Sequence, residues 1–439
     1  MKNIYLSIAA ALVIGSTAKA QCTGRYTDNL YPITATTGIA YGSNITYTGS
    51  TQTLTLDFYE PTADTSHARP LIIWAHGGSF ISGTSADADV DTLCHRFAKK
   101  GYACASINYR LGVSSFDSLG FIPAVIRGVQ DMKAAVRFFY KDKQTTNTYK
   151  IDTNNIFIGG SSAGSFIALH YQYLDKVCEI SPAYISASDL TALGGLDGTS
   201  GNAGYSQKVN GVIDLCGALG VYAWLEAGNL PLCSMHGTAD GTVNYSRGEV
   251  LPPAHILYAD GSCMIYKRAE CVGVQDNFYT WLGAPHVPYA GSTATEIAYM
   301  DTTVNFVHDY LLQRLNRSCT PLQPADPAYG PVTLYTYTST CDGTVQSNCT
   351  TGIEKNKANS LSVSVYPNPS NSDVTVSFTN ANAVVYSVEL TDISGRVVKS
   401  ATTKEAAYTL ERSTLTSGVY FLKVYNSQGE SSVQKIIFY

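Results

Sequence analysis

Gly160-Ser161-Ser162-Ala163-Gly164 sets a serine between two glycines in G-x-S-x-G spacing. An ester or amide carbonyl resists water near neutral pH. A serine hydroxyl attacks it when a base removes the proton and N–H donors hold the oxyanion. The glycines permit a tight turn that lifts the hydroxyl above a sheet edge. The apolar run Ile156 to Gly159 before the turn and the helical run Ser165 to Leu174 after it predict the strand–turn–helix setting this requires. Ser161 competes for the role, but its flanks are Gly159 and Ala163, so it lacks the second glycine. Ser162 is the preferred nucleophile.

Three further pieces fit the same chemistry. His76-Gly77-Gly78-Ser79-Phe80 follows the apolar run Leu71 to Ala75. Small residues there let backbone N–H groups approach a substrate oxygen, so Gly77, Gly78 and Ala163 are the candidate oxyanion donors, each worth about 3 kcal/mol in the transition state. His76 reads as a brace for that loop rather than a base. The acid is expected after a later strand: Leu230 to His236 runs into Gly237-Thr238-Ala239-Asp240, with Asp214 as the alternative. The base is expected last, at His286 before the final helix, with His308 as its rival inside that helix. The order Ser162, Asp240, His286 is one of the orders known for such triads.

The elements that must hold these residues alternate. Thr53 to Tyr59, Leu71 to Ala75, Cys104 to Tyr109, Ile156 to Gly159, Gly211 to Leu215 and Leu230 to Met235 are predicted strands. Asp89 to Lys100, Pro123 to Lys141, Ser165 to Leu174 and Val304 to Leu315 are predicted helices. Strands alternating with long helices predict an α/β fold with a mainly parallel sheet. Gly-rich Thr191 to Tyr205 interrupts the rhythm as a long loop that would shape an acyl pocket. After Leu361 six short alternating strands between turn residues predict a small all-β sandwich. They are Ser362 to Tyr366, Val374 to Phe378, Val384 to Leu390, Val397 to Lys399, Val419 to Tyr425 and Val433 to Phe438. The domain reading is a signal peptide over 1–20, a catalytic domain over 21–318, a linker over 319–360 and a β-sandwich over 361–439.

Bulk composition narrows the class. The 439 residues exceed one usual core. Charged residues are 14% and the net charge is -5, so there is no basic excess to attract nucleic acid or anionic lipid. Lys2, the apolar stretch Ile4 to Gly15 and Ala18-Lys19-Ala20 read as a secretory signal with cleavage before Gln21. No later segment is apolar enough for a membrane helix. Eleven cysteines suit an exported chain. Cys263/Cys271 and Cys341/Cys349 close short loops and are the expected bridges. Cys104, Cys216 and Cys233 read as buried small hydrophobes. Asp87, Asp89 and Asp91 read as charge at a helix start rather than a calcium site.

Residues from about Cys22 to Arg317 resemble a carboxylesterase/lipase-type α/β-hydrolase. The resemblance rests on HGGSF at 76–80, INYRL at 107–111, the helix carrying Asp131 and AAVR at 134–137, IFIGGSSAG at 156–164, HGTAD at 236–240 and PHVPY at 285–289. It implies an acyl-enzyme mechanism on carboxylic esters with a Ser–Asp–His triad and no metal or organic cofactor. One departure is GAPHVPY, where relatives commonly place Gly before the histidine. Residues Leu361 to Tyr439 resemble the C-terminal sorting domain of type IX secretion, through YPNP at 366–369, SGVYF at 417–421 and the terminal run QKII at 434–437. That implies passage across the outer membrane with the secretion machinery as partner. Export favours polymer-linked esters, such as acetyl or feruloyl esters of polysaccharide, or lipids and polyesters. A serine peptidase of the same fold and a non-catalytic surface-binding protein are the alternatives.

Overall fold

A computed structural model describes residues 24–251, 256–315, 333–346, 363–378, 385–393, 395–426 and 431–439. The expected signal peptide lies outside the described residues. The chain divides into two units between residues 349 and 350.

The first unit is built on one eight-stranded sheet. Its strands are β1 (Ile33–Ile45), β2 (Thr51–Pro61), β3 (Arg69–Ala75), β4 (Ala103–Ile107), β5 (Ile151–Ser161), β6 (Gly211–Leu215), β7 (Leu232–Gly237) and β8 (Asp276–Trp281). They lie in the order β1-β2-β4-β3-β5-β6-β7-β8. The pairs β1/β2 and β2/β4 are antiparallel, and every pair from β4/β3 to β7/β8 is parallel. The helices are α1 (Ala88–Ala98), α2 (Ser118–Gln144), α3 (Ala163–Tyr173), α4 (Ala187–Ala192), α5 (Ser262–Val272) and α6 (Ala294–Arg314).

The continuous apolar run of β3 follows from burial on both faces. Leu71, Ile73 and Ala75 pack with α2 and α3 residues such as Val129 and Ile167. Ile72 and Trp74 point the other way, to α1 and α6 residues such as Phe97 and Val307. Each buried Leu, Ile or Phe contributes roughly 1.5–3 kcal/mol. This two-sided core holds the strand ends rigidly in register, and those ends carry the site.

The structure adds elements that local pattern concealed. β1 reads ITATTGIAYGSNI and is mostly exposed, so it has no apolar alternation to announce it. α2 starts at Ser118 rather than at Pro123, because Asp117 caps it by accepting from the Gly120 N–H at 3.1 Å. α6 begins at Ala294 behind a Thr293/Glu296 capping box. Among the described residues, no helix is long and apolar enough to cross a membrane.

Both expected disulfides are corrected. Cys263 is a buried free thiol, whereas Cys271 is disulfide-bonded. The two lie on one helix, eight residues and ~12 Å of rise apart, beyond the ~7 Å a disulfide spans. Cys341 pairs with Cys178, 163 residues earlier, and not with Cys349. Cys104, Cys216 and Cys233 are buried free thiols. Within the stretch read as a linker, residues 333–346 pack on the first unit: Leu334 is buried with Tyr222, Ala223 and Met264.

The second unit has a three-stranded sheet (Val363–Tyr366, Val374–Phe378, Ala407–Leu410) and a four-stranded one (Val397–Thr403, Tyr386–Thr391, Gly418–Asn426, Ser431–Phe438). All pairs of named strands are antiparallel. Val374, Val376, Leu390, Leu422 and Ile436 are shared in one core between the sheets, as in a sandwich. Ala407–Leu410 is the strand the sequence reading omits.

Candidate active site

Every sequence-selected residue of the first unit's site sits just past the C-terminal end of a parallel strand, where open α/β sheets place their sites. Ser162 follows β5, the Gly77–Gly78 loop follows β3, Asp240 follows β7 and His286 follows β8.

Ser162 lies between β5 and α3 at φ 54° and ψ -116°, a conformation L-residues rarely adopt. Close packing holds it there. A Cβ on Gly160 would lie 2.1 Å from the Gly164 carbonyl carbon, and one on Gly164 would lie 1.9 Å from the Ala75 oxygen. The Ser162 N–H donates to the Leu215 oxygen at 2.9 Å. The turn separates the two serines. Ser161 is fully buried, with its Oγ 2.8 Å from the Tyr289 hydroxyl. Ser162 borders both cavities at the strand ends.

His286 Nε2 lies 2.7 Å from Ser162 Oγ, and its Nδ1 lies 2.6 Å from Asp240 Oδ2. Asp240 Oδ1 accepts from the Thr242 and Val243 N–H groups, each at 2.9 Å. Burial works against the Asp240 charge, but hydrogen bonds from His236 and His286 outweigh it and hold the carboxyl well below the usual carboxylate range. With Nδ1 facing a carboxylate, Nε2 is free to accept the serine proton.

The rivals are elsewhere engaged. Asp214 is fully buried and accepts from Ser165 Oγ at 2.5 Å, the Gly217 N–H at 2.9 Å and Ser262 Oγ at 2.6 Å. His308 Nε2 is 2.7 Å from the Tyr26 oxygen. His76 stacks on Tyr109 with ring centroids 4.4 Å apart, and its Nδ1 is 2.7 Å from the Gly77 oxygen. Burial lowers the basicity of its ring. Tyr109 donates to the His76 oxygen at 3.0 Å. Histidine and tyrosine together thus brace the glycine loop.

Gly77 and Gly78 line the same open cavity as Ser162 and His286. A Cβ on Gly77 would lie 3.3 Å from the Ser162 Cβ. Gly78, at φ 100°, leaves no room for a Cβ, which would meet the Ser82 oxygen at 2.1 Å. Ala163 opens α3, where first-turn N–H groups have no partner within the helix.

The structure also brings in His236, which the sequence reading passed over, and Asp87 and Asp89, which it assigned to a helix start. His236 is fully buried. Its Nε2 is 3.2 Å from Asp240 Oδ2 and its Nδ1 is 2.7 Å from Ser262 Oγ, so Asp214 and Asp240 share one buried polar chain. Its place in HGTAD was visible; its partner Ser262, on a helix not anticipated, was not. Asp87 and Asp89 line the open cavity beside Ser162. Asp91 instead accepts from the Tyr59 hydroxyl at 2.7 Å. None of residues 191–205 lines the cavities at Ser162.

Residues 56–229 match the family model described as BD-FAE, and residues 364–439 match the secretion system C-terminal sorting domain. Carboxylesterase 3B of Mus musculus is 35% identical over 26% of this chain and 19% of its own length. Gut esterase 1 of Caenorhabditis elegans is 31% identical over 26% of this chain and 19% of its own length. The chain thus spans about a fifth of the length of these curated relatives. A solved structure of Thermogutta terrifontis esterase 2 phosphorylated by paraoxon aligns over 65% of this chain and 96% of that one, at 19% identity and a TM-score of 0.47. The matched stretch 56–229 holds the glycine loop and Ser162, while Asp240 and His286 lie beyond it. Strand topology and the family matches agree that residues 56–229 are an α/β-hydrolase domain similar to the BD-FAE family, and that residues 364–439 are similar to a secretion system C-terminal sorting domain.

Proposed function

We propose that this protein is an exported carboxylic-ester hydrolase. Ser162 attacks the acyl carbonyl while His286 takes its proton. The amides of Gly77, Gly78 and Ala163 receive the oxyanion, and Asp240 orients His286 and stabilises its imidazolium. His286 then protonates the departing alcohol, and water attacks the acyl-serine with the same histidine as base. The observation that carries this reading is the continuous line Ser162–His286–Asp240, with links of 2.7 and 2.6 Å, at a strained strand-to-helix turn.

The proton geometry orients the substrate. The leaving oxygen must face His286, so the alcohol occupies the open cavity of about 400 Å³ lined by Asp87, Asp89, Thr242 and His286. Carboxylates in its wall suit a hydroxyl-bearing alcohol such as a sugar. The sorting-domain match, with the N-terminal stretch read as a secretory signal, supports delivery by the type IX machinery to the cell surface or beyond, where esters of polysaccharide are accessible.

The test compares two adjacent serines with p-nitrophenyl acetate and a fluorophosphonate probe. Ser162→Ala is expected to lose about 10⁴-fold or more in kcat and all labelling. Ser161→Ala is expected to keep labelling, with a loss no larger than about tenfold from the missing Tyr289 bond. Retained turnover in Ser162→Ala would refute the assignment. A folded wild-type protein that is neither labelled nor active would favour the surface-binding alternative.

A further inference from the structure

With the alcohol on the His286 side, the acyl group must lie on the opposite side of Ser162. Ser162 also borders a small apolar pocket of about 30 Å³ that His286 does not line, bordered by Phe80, Phe121, Ala163, Val243 and Leu251. That is room for little more than a methyl group. Its back wall is Val125, Phe166, Ile256 and Leu257, and these same four residues also wall a second cavity of about 530 Å³. The larger cavity is continued by Ile122, Ile126, Leu174 and Ile180.

The charged groups and the histidine that line this chamber are already engaged, Glu179 by accepting from the Asp175 and Lys176 N–H groups at 3.1 and 3.0 Å. Arg247 is held by Asp260 at 2.8 Å and lies over the Tyr335 ring at 4.1 Å. His170 is bound through Nδ1 to the Phe166 oxygen at 2.8 Å, and its Nε2 accepts from the Gly220 N–H at 3.2 Å. Burial pushes the Glu179 carboxyl up to about 7, which opposes a second negative charge nearby. One wall of the chamber comes from Tyr337 and Thr340, in the strap 333–346. That strap is tied down by the Cys178–Cys341 disulfide, by Thr340 Oγ1 on the Cys178 oxygen and by the Tyr335 hydroxyl on Asp260 at 2.8 Å.

Resting on the reading of Ser162 as the acyl acceptor, we infer that the substrate's acyl group passes between Phe166 and Leu257 into this chamber. Its class is a neutral, apolar acyl chain well longer than acetyl, and the tethered strap is the wall that limits its length. Among the described residues of the wall, none other is charged to hold an ionised tail. The two cavities are adjacent across the four side chains that wall both, and that shared wall is what links the chamber to Ser162 rather than to an independent ligand.

The experiment measures kcat/KM of the full chain for p-nitrophenyl acetate, octanoate and dodecanoate, with fluorophosphonate labelling as the check on Ser162. Wild-type protein is expected to prefer octanoate to acetate. Filling the chamber with Ile122→Trp, or from its half-exposed rim with Ser181→Trp, is expected to lower the octanoate-to-acetate ratio by about tenfold. Releasing the strap with Cys341→Ser is expected to raise the dodecanoate-to-octanoate ratio several-fold. A ratio unmoved by both tryptophans in labelled protein overturns the inference, as does a wild type that cleaves acetate and rejects octanoate. No turnover of any of the three esters and no labelling would instead remove the ester-hydrolase reading, and this inference with it.

Discussion

The glycine-rich turn at 159–164 and the glycine-rich loop at 194–204 use the same residue for different physical ends. At the turn, glycine is required by proximity: β5, α3 and the Ala75 strand end approach so closely that a methyl group on Gly160 or Gly164 would overlap backbone. At the loop, glycine is required by conformation, and at Gly198 by proximity as well, since a Cβ there would lie 2.4 Å from the Gln130 Cβ. Gly194, Gly195, Gly198, Gly201 and Gly204 all have positive φ, and Gly195 and Gly204 face open space. The loop is held by side chains of α2 instead. Gln130 donates to the Leu193 and Gly195 oxygens at 2.9 and 2.7 Å, and Arg137 to the Gly201 oxygen at 3.0 Å. Ser200 donates to Asp131 at 2.6 Å, and Asp131 is paired with the buried Arg110 at 2.9 Å. One stretch aims a hydroxyl; the other braces the main helix. Composition marked both as functional loops, and only the backbone surroundings distinguish them.

The comparison is open to direct attack. Gly164→Ala should cost the most: a Cβ 1.9 Å from the Ala75 oxygen forces the turn apart, and kcat/KM for p-nitrophenyl acetate should fall by about 100-fold or more, as expected for a displaced nucleophile. A fully active Gly164→Ala protein would mean the close packing does not position Ser162. Next in size is Arg110→Met, which leaves Asp131 buried and unpaired. Urea denaturation should show a loss of about 3–5 kcal/mol, while fluorophosphonate labelling of the remaining folded protein is retained. Loss of labelling at full stability would move this network from bracing to chemistry. Gly195→Ala should be milder, about 1–2 kcal/mol for a methyl-bearing residue held at φ 68°, with unchanged kcat/KM.

The smallest expected effect lies in the acid range. The folded value of Asp240 is depressed, so its stabilising contribution is complete above its unfolded value near pH 4 and is lost as pH falls from there towards the folded value. The stability lost by wild type between pH 7 and pH 3 should therefore exceed that lost by Asp240→Asn by about 1 kcal/mol, measured by urea unfolding. Equal losses would place the Asp240 carboxyl in an ordinary environment.

Much of the framework was legible locally. Buried strands such as LIIWA and IFIG announce themselves by unbroken apolar runs, and the second unit's strands by alternation, as in Tyr386–Thr391. β1 was hidden because an edge strand exposed along most of its length needs no apolar pattern. The cysteines misled because closeness in sequence was taken for closeness in space, whereas Cys263 and Cys271 ride one helix and Cys178 finds Cys341 across the fold.

The sequence by itself determined the turn chemistry around Ser162, the small residues of the facing loop and the alternation that builds a parallel sheet. These depend on residues within a few positions of one another. Only the tertiary structure decided which serine is turned inward to Tyr289, which aspartate meets His286, how His236 joins Asp214 to Asp240, and that a strap from residues 333–346 walls a chamber beside the small apolar pocket at Ser162. Those outcomes join residues tens to hundreds of positions apart. The stacking of strand ends in one rigid sheet sets their distances, and no local pattern records that geometry.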